Sequence, residues 1–247
     1  MRLINGGLAS LLMSFGLTVN AAEITVMSGG AIEPGLKAAA AEFEKQTGHK
    51  VHITFNTTPQ MRKRVAAGDT FDVVIAPPKA VAEFAGAGKV EAGGVNVGRV
   101  GSGVAVRPGA PVPGIANAED IKKTVLEAES IVFNRASTGI YFENLLKKMG
   151  VWEQVEPKTA RYDTGAEVMK HALNGKGKEV AFGPITEILL AKEDGLVYVG
   201  PLPPDVQNYT SYTAVPMSAG TQKDLARALT EFLGGAGKPL FVAAGIE

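Results

Sequence analysis

The chain contains no cysteine. Disulfides, thiolate metal sites, cysteine nucleophiles and a lipid anchor on an N-terminal cysteine are therefore excluded from the outset. Aromatic residues are scarce, at 6%, which argues against a surface for stacking bases. Neither sign of charge is in excess, since Lys plus Arg and Asp plus Glu each number 25. Nucleic acid is not an expected partner, because such proteins usually carry a basic patch. Beyond the first 22 residues, no apolar run approaches the ~18 residues that a membrane-spanning helix needs. His49, His52 and His171 lack ligand spacing, so no metal site is expected. Frames for catalysis are missing too: there is no Ser-His-Asp order, no paired carboxylates on adjacent strand ends and no cofactor fingerprint. The expectation is a protein with no catalytic residues and no cofactor.

What is present begins with an export leader. Arg2 supplies a positive start, Leu8 to Val19 is apolar, and Val19-Asn20-Ala21 fits a small-x-small cleavage site. Residues 1–22 are expected to be a signal peptide, cut after Ala21 or Ala22. Loss of Arg2 leaves a net charge of about −1. The remaining chain is long enough for one large or two modest domains, each with a real core.

Strand and helix signals then alternate. Ile24 to Met27 is a β-branched apolar strand ending at Ser28-Gly29-Gly30. Leu36, Ala39, Ala40 and Phe43 recur at helical spacing up to the stop at Gly48. Val51 to Phe55 predicts a strand, Met61 to Ala67 a short helix, Asp72 to Ala76 a buried strand, and Val81 to Ala85 a helix behind Pro77-Pro78. This grammar is that of an α/β unit with a parallel sheet. A second unit follows from about Pro108, with strands at 130–133, 180–183 and 196–199 and helices at 137–149, 168–173 and 185–191. The last segment is too short for a domain and is expected to fold back on the first unit. The predicted architecture is two-lobed α/β, each lobe a central sheet flanked by helices, with residues 23–105 and 212–247 in lobe 1 and 106–211 in lobe 2. Gly103–Arg107 and Tyr212–Pro216 are assigned as the paired strands that cross between lobes, a hinge-bending arrangement.

Three turns carry chemistry. Ser28-Gly29-Gly30, Asn56-Thr57-Thr58 and Ala136-Ser137-Thr138-Gly139 each follow a strand and open a helix. Ligands in open α/β sheets sit at such carboxyl ends of strands. Small hydroxyls and unpaired N–H groups there favour an anion. Arg135, next to the third turn, is a candidate to pair a carboxylate. Arg62, Arg64 and Arg107 are weaker candidates. The loop Asn174 to Lys178 and the stretch Gly98 to Gly103 only superficially imitate phosphate and dinucleotide motifs.

These segments, in this order, resemble the periplasmic molybdate-binding proteins of ABC importers and their type II binding-protein relatives. The shared features run from Ile24-Thr25-Val26 and Phe43 to Gly48 through Phe55-Asn56-Thr57-Thr58, Asp72 to Ala76 and Val104 to Ala110. They continue in Thr138-Gly139-Ile140-Tyr141, Met149 to Trp152 and the C-terminal Ala244-Gly245-Ile246. The resemblance implies a monomeric periplasmic protein with the type II periplasmic-binding-protein-like fold. It would capture a small anion such as molybdate or tungstate between its lobes and deliver it to a membrane permease. Ser28, Gly29, Gly30, Thr57, Thr58, Arg135, Ser137 and Thr138 are the expected ligand-binding residues. Two departures from the family pattern, Met27 to Ala31 and Phe182 to Glu187, reshape the cleft. They keep an organic di- or tricarboxylate as the alternative ligand, and a ligand sensor as the alternative role.

Overall fold

The computed structural model describes residues 21–247, so all but the end of the expected leader lies outside the described residues. Among the described residues, no helix is long and apolar enough to cross a membrane. The first lobe is built around β1 (Glu23–Ser28), which pairs in parallel with β2 (Lys50–Phe55) and β3 (Val73–Ala76). All four residues of β3 are buried, as in a strand covered on both faces. At the edge, β2 alternates instead, packing Val51, Ile53 and Phe55 inward. Helix α1 (Glu33–Thr47) starts with proline in its first turn and stops at Gly48, which takes the left-handed cap conformation at φ 74°. Its buried face holds the Leu36, Ala39, Ala40 and Phe43 that the spacing predicts. Helices α2 (Thr58–Ala67) and α3 (Pro78–Gly86) complete this part.

A single long strand, β4 (Val95–Val106), belongs to both lobes. Its first part pairs antiparallel with β9 (Tyr209–Pro216) in the first-lobe sheet, whose order is β2-β1-β3-β9-β4. Its second part pairs antiparallel with β7 (Glu179–Pro184) and β8 (Val197–Pro201). The second-lobe sheet continues from β7 to β5 (Ser130–Asn134) and β6 (Thr159–Tyr162), all parallel. The chain therefore passes between lobes at Gly101–Ser102 within β4 and returns near Gln207–Asn208. The Ser102 N–H donates to Gln207 Oε1 (2.9 Å), and Gln207 Nε2 donates back to the Ser102 carbonyl (3.1 Å). The expected crossing strands differ from this. Gly103 onward already lies in the second-lobe sheet, and Tyr212–Pro216 lies within the first, because β4 is a longer strand than its glycine-rich start suggests.

The second lobe carries α4 (Ala118–Glu127), α5 (Ser137–Lys148), α6 (Trp152–Val155), α7 (Gly165–Asn174) and α8 (Ile185–Lys192). Phe142 stacks on Phe182 with ring centroids 3.7 Å apart and meets Phe133 edge-on at 5.3 Å. Truncating one such ring typically costs about 3–5 kcal/mol. The last helices, α9 (Lys223–Gly234) and α10 (Lys238–Ala243), fold back on the first lobe, where Leu229, Leu233, Phe241 and Ile246 join the core around Ile24, Val26 and Phe43. Asp72 ties this return to the sheet. Its carboxylate accepts the Thr25 N–H and hydroxyl (both 2.8 Å) and the N–H groups of Thr221 (2.8 Å) and Gln222 (2.9 Å). Burial opposes its ionisation, but these hydrogen bonds prevail and hold its pKa below the ordinary value. The two motif-like stretches are structural. Gly98–Gly103 runs inside β4, and the amides of Lys176 and Gly177 are taken by the Glu179 carboxylate (3.0 and 2.9 Å).

Candidate functional site

The carboxyl ends of β1, β2 and β5 face one another across the interlobe cleft and enclose a cavity of about 210 Å³. Two hydrogen bonds close on it from opposite lobes. Thr58 Oγ1 lies 3.4 Å from Ser137 Oγ, and the Thr186 hydroxyl donates to the Ala31 carbonyl.

Each wall is a helix start. In lobe 1 a short 3₁₀ turn, Gly30–Ile32, leads directly into α1, and Thr57 is the N-cap of α2. Gln60 reaches back to the Thr57 N–H (2.8 Å), so that amide is satisfied within the turn. Asn56 Oδ1 accepts from Arg64 Nη1 (3.2 Å), so the group its amide has left to offer is the NH₂ donor. In lobe 2 Asn134 Oδ1 accepts from Ala136 and Gly139 (both 3.0 Å), shaping the turn that opens α5. Glycine is required at 139, because a β-carbon there would overlap the Asn134 carbonyl. The Thr164 hydroxyl and N–H both bond the Glu167 carboxylate (2.8 and 2.9 Å), a capping box at the start of α7. The first-turn N–H groups of Thr58, Ser137, Thr138, Gly165 and Ala166 have no intrahelical acceptor. Four helix starts, each carrying about +0.5 charge, thus converge on one cavity. Among the described residues, no Lys, Arg or His lines it.

Of the expected site residues, the structure brings Gly29, Gly30, Thr57, Thr58, Ser137 and Thr138 together around the cavity. Ser28 and Arg135 do not line it. Ser28, the last residue of β1, is fully buried between β2 and β3 and turns its hydroxyl to the Gly29 carbonyl (3.2 Å). The exposed Arg135 guanidinium donates to the Arg161 carbonyl (2.7 Å) and lies 3.5 Å from Asp163. The weaker candidates are engaged elsewhere: Arg62 pairs with Glu83, Arg64 with Asp69, and Arg107 with Glu179.

The cavity also recruits residues absent from the sequence-based set, among them Asn134, Thr164, Gly165, Tyr212 and Glu187. The Thr164-x-x-Glu167 pattern is a capping-box signature that marks the start of α7 ahead of Val168. Tyr212 comes from β9 and is 7% exposed, its ring against Gly29. Burial, reinforced by Glu187, pushes its phenol pKa far up, so it stays neutral. Glu187, in the first turn of α8, is the chemically unusual member. Its Oε2 is buried without a hydrogen-bond partner among the described residues. The carboxyl nestles between Gly30 of lobe 1 and Gly165 of lobe 2, and a β-carbon at 165 would overlap it. Burial first, and the nearby Glu33 carboxylate second, push its pKa up to about 7.

The architecture and sequence have known counterparts. The chain is 28% identical over 216 residues to an aconitate isomerase from a Pseudomonas species, covering 85% of this chain and 81% of the relative. The periplasmic molybdate-binding protein of Azotobacter vinelandii superposes with a TM-score of 0.72 at 16% identity, covering 91% of this chain and 98% of the other. The sulfate-binding protein SubI of Mycobacterium tuberculosis gives a TM-score of 0.73 at 18% identity, covering 91% and 86%. At these identities the two structures establish the fold, a two-lobed periplasmic-binding-protein-like α/β architecture. The model of the bacterial extracellular solute-binding protein family matches residues 24–247, essentially everything that forms the two lobes and the cleft, and the chain belongs to that family.

Proposed function

We infer that the protein is a periplasmic carrier that captures a small organic polycarboxylate between its lobes and hands it to a membrane permease of an ABC importer. The observation that carries this reading is the convergence of helix starts from both lobes on one cavity, since a ligand seated there bridges the lobes and holds them closed. Anion charge is met by dipoles and neutral donors, with Thr58, Ser137 and Thr138 as the central contacts.

Two features favour a polycarboxylate. Glu187 sits in the wall, where a carboxyl that is protonated near neutral pH can donate to a ligand carboxylate. The relative named aconitate isomerase aligns over most of both chains. A molybdate-, tungstate- or sulfate-like oxyanion is the second reading, favoured by the lack of a lining cation among the described residues, since neutral donors suit such ions. The leader over residues 1–22 and a monomeric state are part of the same proposal.

A ligand panel separates the readings. A ligand at ~100 times its dissociation constant stabilises a fold by about 2.7 kcal/mol, or roughly 5–10 °C in Tm for a chain of this length. The expected result is a shift with trans-aconitate or citrate and none with molybdate, tungstate or sulfate; the reverse pattern would replace the polycarboxylate with an oxyanion.

A further inference from the structure

Glu187 lies where the two lobes meet. It belongs to the first turn of α8 in lobe 2, and its carboxyl packs against Gly30 of lobe 1, where an added β-carbon would stand 3.2 Å from Oε1. Beside it the Thr186 hydroxyl donates to the Ala31 carbonyl, so one helix turn of lobe 2 is clasped to one turn of lobe 1. Oε2 is buried with no partner among the described residues, and the space it fills exists only because residue 165 is glycine. Carrying a proton, that carboxyl can donate to an acceptor in the cavity. Ionised, it is a buried anion without a donor, which is costly.

Lobe 1 supplies the titratable groups that face it. Glu33 of α1 repels its negative charge, and Tyr212 of β9 stands beside it as a neutral phenol, while Lys37 is turned to Glu33. In lobe 2 the charges on the elements packed against α8 are engaged with other partners: Glu167 of α7 with Thr164, His171 with Tyr162, and Glu179 of β7 with the amides of Lys176 and Gly177. Arg99 of β4 pairs with Glu247, Lys170 of α7 is exposed, Lys192 lies in the last turn of α8, and burial raises the phenol pKa of Tyr198 on β8.

Resting on the reading of the cleft as an anion site enclosed between the lobes, we propose that the first turn of α8 is a proton-operated latch: the cleft closes on its anion with one proton taken up by Glu187, and loss of that proton favours opening. When the lobes separate, Gly30, Glu33 and Tyr212 withdraw and water reaches the carboxyl, so the open form holds the proton less tightly than the closed form. Closed, the carboxyl ionises at about 7 against an ordinary 4.5. An anion in the cavity adds a like charge and raises this value further. A group that binds its proton more tightly in the closed form favours closure at low pH. Below both pKa values the proton is present in either form, and pH has no effect. Between the open-state and closed-state values, the equilibrium moves toward the open form by up to about tenfold per pH unit. Capture is therefore favoured in acid and release above neutrality.

Small-angle X-ray scattering of the ligand-free protein and calorimetry with trans-aconitate, both between pH 5 and 8, test the latch. The radius of gyration of the wild type should grow from pH 5 to 8, and that of Glu187→Gln, which cannot ionise, should not. The wild-type dissociation constant should rise at least ~10-fold from pH 6 to 8. That of Glu187→Gln should rise less than ~3-fold over the same range, a change that also accounts for titration of the ligand itself. Repeating the calorimetry in phosphate and in Tris, whose ionisation enthalpies differ, should show the wild type taking up at least ~0.5 proton more per ligand than the variant at pH 7. Glu33→Gln keeps the latch carboxyl but removes the like charge beside it. It should move the wild-type profile to lower pH, and it guards against a fold defect in the first variant. Coinciding pH profiles of the wild type and Glu187→Gln, or a ligand-free wild-type radius that does not change with pH, overturn the proposal. No binding of trans-aconitate at any pH removes the polycarboxylate reading alone, and the ligand-free scattering then decides the latch by itself.

Discussion

Replacing Glu187 with glutamine is expected to stabilise the free protein, and to do so only on one side of a pH boundary. The carboxyl ionises at about 7 in the folded protein against an ordinary value of 4.5. Below 4.5 both folded and unfolded chains hold the proton, and the residue costs nothing on this account. Between 4.5 and 7 the unfolded chain releases a proton that the folded chain retains, so stability falls as pH rises. Above 7 the loss is complete and amounts to about 3 kcal/mol at 1.36 kcal/mol per pH unit. Glutamine has the same shape and no charge to bury. The advantage of Glu187→Gln should therefore be near zero at pH 4, grow through pH 5 and 6, and reach about 3 kcal/mol at pH 8. For a chain of this length that is a rise of about 6–12 °C in Tm. Glu33 and Tyr212 are the other titratable groups at the carboxyl; only Glu33 adds to its shift, so Glu33→Gln should move the boundary to lower pH. Urea unfolding of the free proteins between pH 4 and 8, at constant ionic strength, measures the difference directly. A difference that is flat with pH, or that grows as pH falls, would refute the claim that Glu187 is desolvated.

The remaining predictions concern binding and the stitch at Asp72. Ser137→Ala and Thr58→Ala should each weaken ligand binding by about 10- to 100-fold in calorimetry, the worth of one charge-assisted hydrogen bond, with little change in the ligand-free fold. Arg135→Ala should leave affinity within ~2-fold, because its side chain bonds Arg161 and Asp163 outside the cavity; a large loss would return it to the site. Asp72→Asn should cost about 3 kcal/mol in urea unfolding at neutral pH, since an amide NH₂ must then face backbone donors. With its folded pKa below 3.8, Asp72 contributes stability above that value and loses it as pH falls through the folded pKa, so the difference should shrink in acid.

Local periodicity was enough to place most elements, because a buried face repeats every two residues in a strand and every three or four in a helix. Leu36, Ala39, Ala40 and Phe43 of α1 and the all-buried β3 are direct examples. The three turns of small hydroxyl residues were likewise legible, since strand–turn–helix chemistry is written in consecutive residues, and six of the seven residues chosen from them line the cavity. Neighbours remote in the chain decided the rest. Ser28 reads as a free hydroxyl until β2 and β3 close over it, and Arg135 reads as a cleft cation until Arg161 and Asp163 supply its partners. Glu187 reads as an ordinary acid in the first turn of a helix. Its raised pKa and its orphaned oxygen arise only because Gly30 and Glu33 from one lobe, Gly165 from the other and Tyr212 from β9 meet around it. Desolvation is a sum over surrounding atoms, and those atoms come from segments that only the tertiary fold brings together.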